Sequence, residues 1–555
     1  MNIQNTKNMG ALSSQEYTPF PRERADFYEQ MGCWGNENHI QFLYRLKNEY
    51  GRKIAIIQGD YSLSYEALYA RAELCAQQLA SAGIKSGDFV VLQSANVSEF
   101  FVVLFGLYFI GARPVFCLNG HGAAEVEGIA RNSGAVGYIK INSLKETEDV
   151  HDICNQFSQP NFSLWFRATI VSDAGHNTAT FPGSWTLSCA GRDLADGQLQ
   201  VSAENSRSLA FLQLSGGTTG TPKLIPRTHA DYLYSVDLSA KVARLDAYTK
   251  ILIVLPVMHN FTMSSPGFLG AFSVGATVVL AADPTPGHCF SLIEQHAINQ
   301  VSLVPSLAGL WAHSPLIGAY DLSSLQVMQV GGAKLQPELA TEIYARLGVK
   351  LQQVYGMAEG LVNFTSLDDD RDICINTQGK PLSPYDEIAI VDEQGAPVTQ
   401  GVVGLITTRG PYTINGYYHA PEVNAHSFTA DGFYITGDLG FKDEFGNITV
   451  TGRQKELINR AGEKITPSEV EALILSHPQV RDVTVIGVPD KLLGERIKAL
   501  IILHEMEAVI TRKDIVDHLH KRGIAQFKIP DDIDFVNDFK YTHVGKVNRR
   551  QLVSA

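Results

Sequence analysis

Short runs of β-branched residues alternate with helical patterns from residue 54 to residue 351, and this alternation constrains the fold most. The clearest strand runs are residues 88–92, 277–280, 301–304 and 327–330. The segments between them, such as 290–296 and 336–347, have the composition of helices. Because successive parallel strands need a crossover that is usually a helix, this order predicts an α/β fold with parallel sheets covered by helices.

The pattern changes after residue 386. Strand signals punctuated by glycines predict a smaller β-rich lobe over about 386–450. After a charged stretch at 453–456, apolar strand runs and one helical pattern predict a compact α+β segment. We therefore expect a flexible tail over 1–18, a large N-terminal domain of helix-covered parallel sheets plus the β-rich lobe over 19–453, and a small mobile α+β C-terminal domain over 454–555.

The composition excludes several classes of protein. At 555 residues the chain is too long for a single core, so several domains are expected. Its hydrophobic share of 45% and charged share of 19% are ordinary for a globular protein in water. A net charge of −13 opposes nonspecific binding to nucleic acid, since phosphate backbones require a basic face. We expect no nucleic-acid partner.

Cysteine usage and apolar segments indicate the compartment. The seven cysteines are scattered and form no C-x-x-C pair, which fits buried thiols in a reducing environment. The N-terminus shows neither a secretory nor a transit pattern. The most apolar stretch, 100–110, is about half of the ~20 residues that cross a bilayer, and it reads as a buried helix. We expect a cytoplasmic protein without membrane association.

Residues 215–223 follow the apolar run 209–212 and form a turn whose composition suits polyphosphate. Glycines let backbone N–H groups turn toward phosphate oxygens, hydroxyls add donors, and a lysine adds a cation. These residues are Ser215, Gly216, Gly217, Thr218, Thr219, Gly220, Thr221 and Lys223. Pro222 stands where a P-loop requires glycine, so a P-loop NTPase is disfavoured and ATP binding of another kind is expected. An ordinary surface loop is the alternative.

Further segments could complete a nucleotide site. Tyr355 ends a strand run and could stack on a purine, and Glu359 could help to hold Mg²⁺. Asp438 follows a tight turn and suits ribose hydroxyls, while Arg453 could reach ribose or phosphate. Lys546 lies on a polar loop near the C-terminus. Taken alone, each of them also fits an ordinary turn, a solvated charge run or a surface lysine.

Together these motifs resemble the adenylate-forming superfamily, which includes acyl-CoA synthetases, luciferase-like enzymes and the adenylation domains of nonribosomal peptide synthesis. Order and spacing match along nearly the whole chain. The match also includes residues 63–68, 111–114, 409–412, 416–418 and 459–465. Within the superfamily, the chain is similar to the stand-alone aryl acid adenylating enzymes of catechol siderophore assembly, the 2,3-dihydroxybenzoate-AMP ligase type. That similarity is carried by residues 256–261, 264–267 and 356–363.

The resemblance implies an aryl acid pocket. Amino-acid-activating relatives usually place an Asp at the position of Asn260, where its carboxylate pairs with the substrate ammonium. Neutral Asn260 can instead hydrogen-bond a ring hydroxyl ortho to the carboxylate, and Ser265 can meet a hydroxyl at the next carbon. Relatives that take salicylate tend to have Cys at the position of Ser265, which favours 2,3-dihydroxybenzoate here. The other implied pocket residues are His259 at the carboxylate end and Ala333, Val354 and Val362 around the ring. Each of these four also fits ordinary core packing.

Two half-reactions follow from the resemblance. In the first, the aryl carboxylate attacks MgATP and gives an aryl adenylate, with catalytic roles for Lys546, His259 and Glu359, the last as a magnesium ligand. The implied ATP-binding residues are Ser215, Gly216, Gly217, Thr218, Thr219, Gly220, Lys223, Gly332, Tyr355, Gly356, Asp438, Arg453 and Lys546. In the second, a phosphopantetheine thiol of a separate aryl carrier protein or domain displaces AMP. The C-terminal domain would rotate about Lys455 and bring the Gly462 loop to the pantetheine tunnel.

Two positions depart from the superfamily pattern. Lys540 replaces the usual Pro before the Lys546 loop, which could loosen that loop and change its timing. Ala358 replaces the usual Thr before Glu359, as it does in the aryl acid subgroup. The alternatives are an aryl-CoA ligase, a salicylate-activating enzyme and a non-catalytic nucleotide-binding scaffold.

Overall fold

A computed structural model describes residues 17–143, 166–171, 184–189, 201–215, 222–504, 510–540 and 547–553. No helix within these ranges is both long enough and apolar enough to span a bilayer. The predicted tail over 1–18 lies mostly outside the described residues, and Tyr17 at its end packs against an apolar cluster of the core.

The strands, in chain order, are β1 (Ile54–Gln58), β2 (Tyr61–Ser64), β3 (Phe89–Ser94), β4 (Arg113–Cys117), β5 (Gly137–Asn142), β6 (Phe166–Val171), β7 (Ser184–Cys189), β8 (Leu209–Leu214), β9 (Leu224–Thr228), β10 (Lys250–Ile253), β11 (Thr277–Leu280), β12 (Gln300–Leu303), β13 (Val327–Gly331), β14 (Lys350–Gly356), β15 (Val362–Phe364), β16 (Lys380–Pro381), β17 (Glu387–Val391), β18 (Gly404–Arg409), β19 (Tyr434–Lys442), β20 (Ile448–Arg453), β21 (Ile458–Arg460), β22 (Glu463–Ile465), β23 (Val480–Asp490), β24 (Gly494–Leu503) and β25 (Asp532–Phe535).

The helices are α1 (Arg22–Gln30), α2 (His39–Tyr50), α3 (Tyr65–Ser81), α4 (Ser98–Ile110), α5 (Ala123–Ser133), α6 (His229–Val242), α7 (Asn260–Ser264), α8 (Gly267–Ser273), α9 (Pro286–His296), α10 (Pro305–Ala312), α11 (Pro337–Leu347), α12 (Arg371–Asn376), α13 (Pro421–Ser427), α14 (Pro467–Leu475), α15 (Arg512–Lys521) and α16 (Arg549–Val553). Short 3₁₀ turns span Ile317–Ala319, Gln454–Glu456 and Gln526–Lys528.

Two large sheets form the N-terminal part. The first has the strand order β16-β15-β14-β13-β12-β10-β11-β1-β2, and β1, β11, β10, β12, β13 and β14 run parallel within it. The second has the order β7-β6-β5-β3-β4-β8-β9, with β6, β5, β3, β4 and β8 parallel. Helices cover both sheets, so the predicted α/β class is confirmed.

Alternate side chains of each parallel strand enter different apolar cores. In β10, Ile251 and Ile253 face the core between the two sheets, whereas Leu252 faces the core under α9, α10 and α11. Both faces of the strand are therefore covered, which explains why these runs are apolar throughout rather than alternating. Val304, predicted as the last strand residue, instead precedes α10, because Pro305 begins that helix.

Helix α4 lies between the two sheets and is buried along its whole length. It needs no polar face, because apolar residues surround it on every side. The prediction of a buried helix over 100–110 is thus confirmed. The helix ends at Gly111, whose φ of 72° is left-handed and suits glycine.

Two smaller sheets form the rest of the described chain. In the β-rich lobe, β17, β18, β19 and β20 form an antiparallel sheet. After Arg453 a separate sheet of order β22-β21-β24-β23, with β25 parallel to β24, packs against α14 and α15. This agrees with the predicted β-rich lobe and α+β segment, while the exact domain boundaries stay a prediction.

The carboxyl ends of the parallel strands supply the segments that the sequence assigns to a site. Strand β8 leads into Ser215, β13 leads into Gly332, and β14 ends in Tyr355 and Gly356. Ligand sites of α/β sheets usually lie at this edge. The fold therefore brings the first and second sheets together at one candidate site.

Candidate active site

The predicted phosphate segment is closed at its base. The Ser215 N–H donates to the Lys223 carbonyl at 2.9 Å, and the Lys223 N–H donates to the Ser215 hydroxyl at 3.1 Å. The intervening Gly216, Gly217, Thr218, Thr219, Gly220 and Thr221 lie outside the described residues. These two hydrogen bonds hold Ser215 and Lys223 side by side at the end of β8.

Lys223 and Glu359 both contact the side chain of Tyr417. The Lys223 ammonium lies 4.6 Å from the centroid of the Tyr417 ring, and the Tyr417 hydroxyl donates to Glu359 Oε1 at 2.8 Å. Burial lowers the pKa of Lys223, as does the charge of Lys455, while Glu359 acts in the opposite direction. The Tyr434 hydroxyl lies 2.9 Å from that of Tyr417. The sequence motif included Tyr417 but did not reveal this role.

Glu359 fits a magnesium ion that is bound mainly by a nucleotide. Among the described residues, no three His, Cys, Asp or Glu side chains cluster closely enough to hold a metal ion by themselves. Mg²⁺ in nucleotide sites is usually held by one or two carboxylates together with phosphate oxygens. A single buried carboxylate near Lys223 matches that donor set.

Gly360 lets the backbone after Glu359 pass close to a neighbouring loop. Its φ of 153° lies in the region that favours glycine, and a Cβ there would be 2.4 Å from the Thr413 Cα. The Ile414 N–H donates to the Glu359 carbonyl at 2.8 Å, which fixes the turn. The backbone at Glu359 and Gly360 is thereby fixed against the loop that contains Thr413 and Ile414.

Three predicted nucleotide residues form one group at the β-rich lobe. The Tyr355 hydroxyl donates to Asp438 Oδ2 at 2.8 Å, and Arg453 Nε lies 3.0 Å from Asp438 Oδ1. Strands β19 and β20 place Asp438 opposite Arg453 in register. The charge of Asp438 raises the pKa of Arg453. Each carboxylate oxygen has a second lone pair, so Asp438 can still accept from ribose hydroxyls.

The residues predicted to bind an aryl acid surround the start of α7. His259 caps this short helix, because its Nδ1 accepts from the Phe261 N–H at 3.3 Å. Asn260 Oδ1 accepts from the Tyr232 hydroxyl at 2.9 Å, and its Nδ2 lies 3.5 Å from the Met357 carbonyl oxygen. Ser265 is buried directly after the helix.

The three residues predicted to surround the aryl ring differ in their burial. Val354 and Val362 are buried in one apolar cluster with Phe261, so core packing accounts for both. A Cβ on Gly331 would lie 2.7 Å from the Val354 carbonyl oxygen, which shows how closely the strands approach here. Ala333 is exposed after Gly332, whose φ is 82°. Core packing therefore does not explain Ala333.

A buried ion pair, not predicted from the sequence, contacts both the turn before Glu359 and the side chain of Tyr232. Arg227 Nε donates to Asp231 Oδ1 at 2.8 Å, and its Nη1 donates to the Ala358 carbonyl at 3.0 Å. Its guanidinium carbon lies 4.8 Å from the centroid of the Tyr232 ring. The sequence did contain a signal for this pair, because Arg227 and Asp231 are opposite charges four residues apart at the start of α6, just after the phosphate segment.

The predicted C-terminal residues are only partly described. Lys455 lies in the 3₁₀ turn after β20, and Gly462, with a φ of 91°, lies in the turn between β21 and β22. Lys546 lies outside the described residues. The Asn548 N–H donates to the Lys540 carbonyl at 2.7 Å, so a backbone hydrogen bond joins the described ends of the Lys546 segment despite the missing Pro.

Comparison with known proteins identifies the family. The AMP-binding enzyme family matches residues 44–418, and the AMP-binding enzyme C-terminal domain matches residues 469–546. The chain belongs to the AMP-binding enzyme family. It is therefore an ATP-dependent adenylating ligase, which agrees with the superfamily named from the sequence motifs.

Individual relatives cover nearly the whole chain. The vibriobactin-specific 2,3-dihydroxybenzoate-AMP ligase of Vibrio cholerae is 42% identical over 97% of both chains. The salicyl-AMP ligase / salicyl-S-ArCP synthetase of Mycobacterium tuberculosis is 40% identical over 97% of this chain and 94% of its own. The apo structure of Mycobacterium smegmatis MbtA superposes with a TM-score of 0.71 at 37% identity, covering 98% of this chain and 99% of its own.

We expect Asp438→Asn to weaken ATP binding selectively. The substitution keeps the shape of the side chain but removes its charge, so hydrogen bonds from ribose hydroxyls become weaker. The KM for ATP in pyrophosphate exchange should rise about tenfold, while the KM for the acid changes by less than about twofold. Asp368→Asn, at an exposed carboxylate, is the control and should change neither value. Equal rises in both KM values for Asp438→Asn would contradict the ribose assignment.

Proposed function

We propose that the protein activates an aryl acid, 2,3-dihydroxybenzoate above all, with MgATP and then transfers the aryl group to the phosphopantetheine thiol of an aryl carrier protein in catechol siderophore biosynthesis. The observation that carries this proposal is the pair of neutral polar side chains at the two ends of α7: Asn260 begins the helix, and buried Ser265 follows it directly. A neutral amide and a hydroxyl suit a hydroxylated ring, whereas the ammonium of an amino acid substrate would favour a carboxylate there.

The main competing substrate is salicylate. The relatives named for 2,3-dihydroxybenzoate and for salicylate are 42% and 40% identical to this chain, so overall similarity does not separate the two acids. Ser265 favours the catechol acid, because its hydroxyl can pair with the second ring hydroxyl that salicylate lacks. A buried hydroxyl that loses a hydrogen-bond partner costs free energy, so binding of salicylate should be weaker than binding of 2,3-dihydroxybenzoate.

In the proposed first half-reaction, a carboxylate oxygen of the acid forms a bond to the α-phosphorus while the bond from that phosphorus to the bridging oxygen of pyrophosphate breaks. No protein nucleophile is needed, so the protein acts by positioning and by stabilising charge. Lys223 is the last residue of the phosphate segment, and Lys546 is assigned to the carboxylate of the acid and the α-phosphate of ATP. Glu359 would hold magnesium, which when bound neutralises phosphate charge.

In the proposed second half-reaction, the pantetheine thiol gives its proton to solvent and its sulfur bonds to the aryl carbonyl carbon, while the bond from that carbon to the AMP oxygen breaks and AMP leaves with its electron pair. Lys546 has no role in this step. A rotation about Lys455 would remove Lys546 and bring the Gly462 turn toward the thiol. Lys464 in β22 forms an exposed ion pair with Glu393 of the β-rich lobe, a contact that such a rotation would break.

Pyrophosphate exchange with a panel of acids tests the proposed function. With MgATP present, we expect the highest kcat/KM for 2,3-dihydroxybenzoate, a lower value for salicylate, a still lower one for benzoate, and none for amino acids. Absence of exchange with every aryl acid would contradict the proposal and favour a non-catalytic scaffold. For the acceptor, thioester formation with coenzyme A in place of a carrier protein would instead indicate an aryl-CoA ligase.

We expect Ser265→Cys to shift the preference toward salicylate. The thiol is a weaker hydrogen-bond partner than the hydroxyl, so the second ring hydroxyl loses its favourable contact. The ratio of kcat/KM for 2,3-dihydroxybenzoate to that for salicylate should fall by about tenfold. Ser273→Cys, at the end of α8, makes the same chemical change away from the predicted pocket and should leave the ratio unchanged. An unchanged ratio in Ser265→Cys would remove Ser265 as the discriminating residue.

We expect Lys546→Ala to separate the two half-reactions. Loss of the ammonium should reduce adenylation by at least about 100-fold, because charge stabilisation at the α-phosphate is lost. Transfer from preformed aryl adenylate to the carrier thiol should remain within about threefold of wild type if Lys546 acts only in the first step. Lys540→Ala is the neighbouring control. Equal losses in both half-reactions for Lys546→Ala would contradict the alternating use of the C-terminal domain.

A further inference from the structure

A buried row of hydrogen bonds runs from β8 through α6 to the pocket residue Asn260. Gln213 Nε2 donates to the Tyr232 oxygen at 3.3 Å, and the Tyr232 hydroxyl donates to Asn260 Oδ1 at 2.9 Å. Gln213 and Tyr232 are both buried. Because Gln213 already occupies an acceptor position of the Tyr232 oxygen, the phenolic hydrogen is directed toward Asn260.

The Tyr232 ring has little freedom to turn away from this arrangement. The guanidinium of Arg227 lies over one face at 4.8 Å from the ring centroid. Phe211 packs edge-on, with ring centroids 4.7 Å apart and an angle of 86° between the planes. Burial raises the pKa of Tyr232 to about 12, so the phenol keeps its hydrogen at neutral pH. Tyr232 therefore remains a donor.

The second side of the Asn260 amide supports the same orientation. Nδ2 lies 3.5 Å from the Met357 carbonyl oxygen, a geometry that suits N–H and carbonyl. If the amide were turned by 180°, its oxygen would face that carbonyl oxygen and its N–H₂ would face the Tyr232 hydroxyl. Two oxygens would then lie close together without a hydrogen between them. The contacts with Tyr232 and with the Met357 carbonyl therefore favour the same orientation of the Asn260 amide, with Oδ1 toward Tyr232.

We propose that Tyr232 is a specificity-determining positioning residue, which holds the Asn260 amide so that it offers the substrate an N–H donor rather than a carbonyl acceptor. The pocket then selects acids whose ortho substituent accepts a hydrogen bond. A ring hydroxyl oxygen is such an acceptor, whereas an ortho amino group is mainly a donor because its lone pair is shared with the ring. This inference rests on the proposed function, since it takes Asn260 to face an aryl acid.

The test compares salicylate with 2-aminobenzoate, which differ only in the ortho group. We expect wild type to show at least a tenfold higher kcat/KM for salicylate in pyrophosphate exchange. Tyr232→Phe keeps the ring over Arg227 but removes the donor that fixes the amide. With the amide free to turn, the ratio of the two kcat/KM values should fall by about tenfold, which corresponds to about one hydrogen bond.

Tyr234→Phe provides a matched control on the same helix. Its hydroxyl pairs with the Ser383 hydroxyl at 2.9 Å rather than with Asn260. The same loss of one phenolic oxygen should leave the ratio within about twofold of wild type. A general loss of stability in Tyr232→Phe would lower both kcat/KM values together, whereas a turned amide changes their ratio.

The outcomes separate this inference from the proposed function. Exchange by wild type with an unchanged ratio in Tyr232→Phe would overturn the role of Tyr232 and leave the proposed function in place. Equal use of both acids by wild type would overturn it as well. Absence of exchange with every aryl acid would overturn both. If Tyr232→Phe does not fold, as judged by circular dichroism, Asn260→Asp is the second variant: it offers the ortho group an acceptor in place of the N–H donor, so the ratio should fall, and an unchanged ratio there contradicts the inference.

Discussion

The buried ion pair between Arg227 and Asp231 is the interaction on which the site depends. Its guanidinium contacts both the Ala358 carbonyl, next to Glu359, and the face of the Tyr232 ring. Removing one partner of such a pair typically costs about 3–5 kcal/mol, because the other charge stays buried. Asp231 also accepts from the Thr228 N–H at 2.7 Å and so completes the cap of α6. The pair thereby fixes the start of α6 and connects the segments that are predicted to bind the nucleotide and the aryl acid.

Three tyrosines act in the same way at three of the predicted site residues. Tyr355, Tyr417 and Tyr232 donate their hydroxyls to Asp438, Glu359 and Asn260 at 2.8, 2.8 and 2.9 Å. Burial raises the pKa of all three phenols, so each stays a donor. A neutral donor orients its acceptor and leaves further lone pairs or hydrogens for a ligand. The site is thus ordered before substrate arrives, which lowers the cost of positioning.

Features set by neighbouring residues could be predicted from the sequence, whereas contacts between distant segments could not. Strands β3 and β11 could be predicted because both of their faces are buried, which leaves an apolar run in the sequence. Arg227 and Ala358 stand 131 residues apart, and Tyr355 and Asp438 stand 83 apart. No local spacing encodes such a contact, because it arises only where strand ends of different sheets meet.

The sequence by itself determined the α/β class, the family and the neutral character of Asn260, since these follow from residue types and their order along the chain. Only the tertiary structure decided that Tyr232 holds the Asn260 amide, that Arg227 joins the two sides of the site, and that Ala333 is exposed rather than packed in a core. The physical reason is that hydrogen bonds have direction. Which end of an amide meets a ligand depends on donors and acceptors that distant segments bring to it.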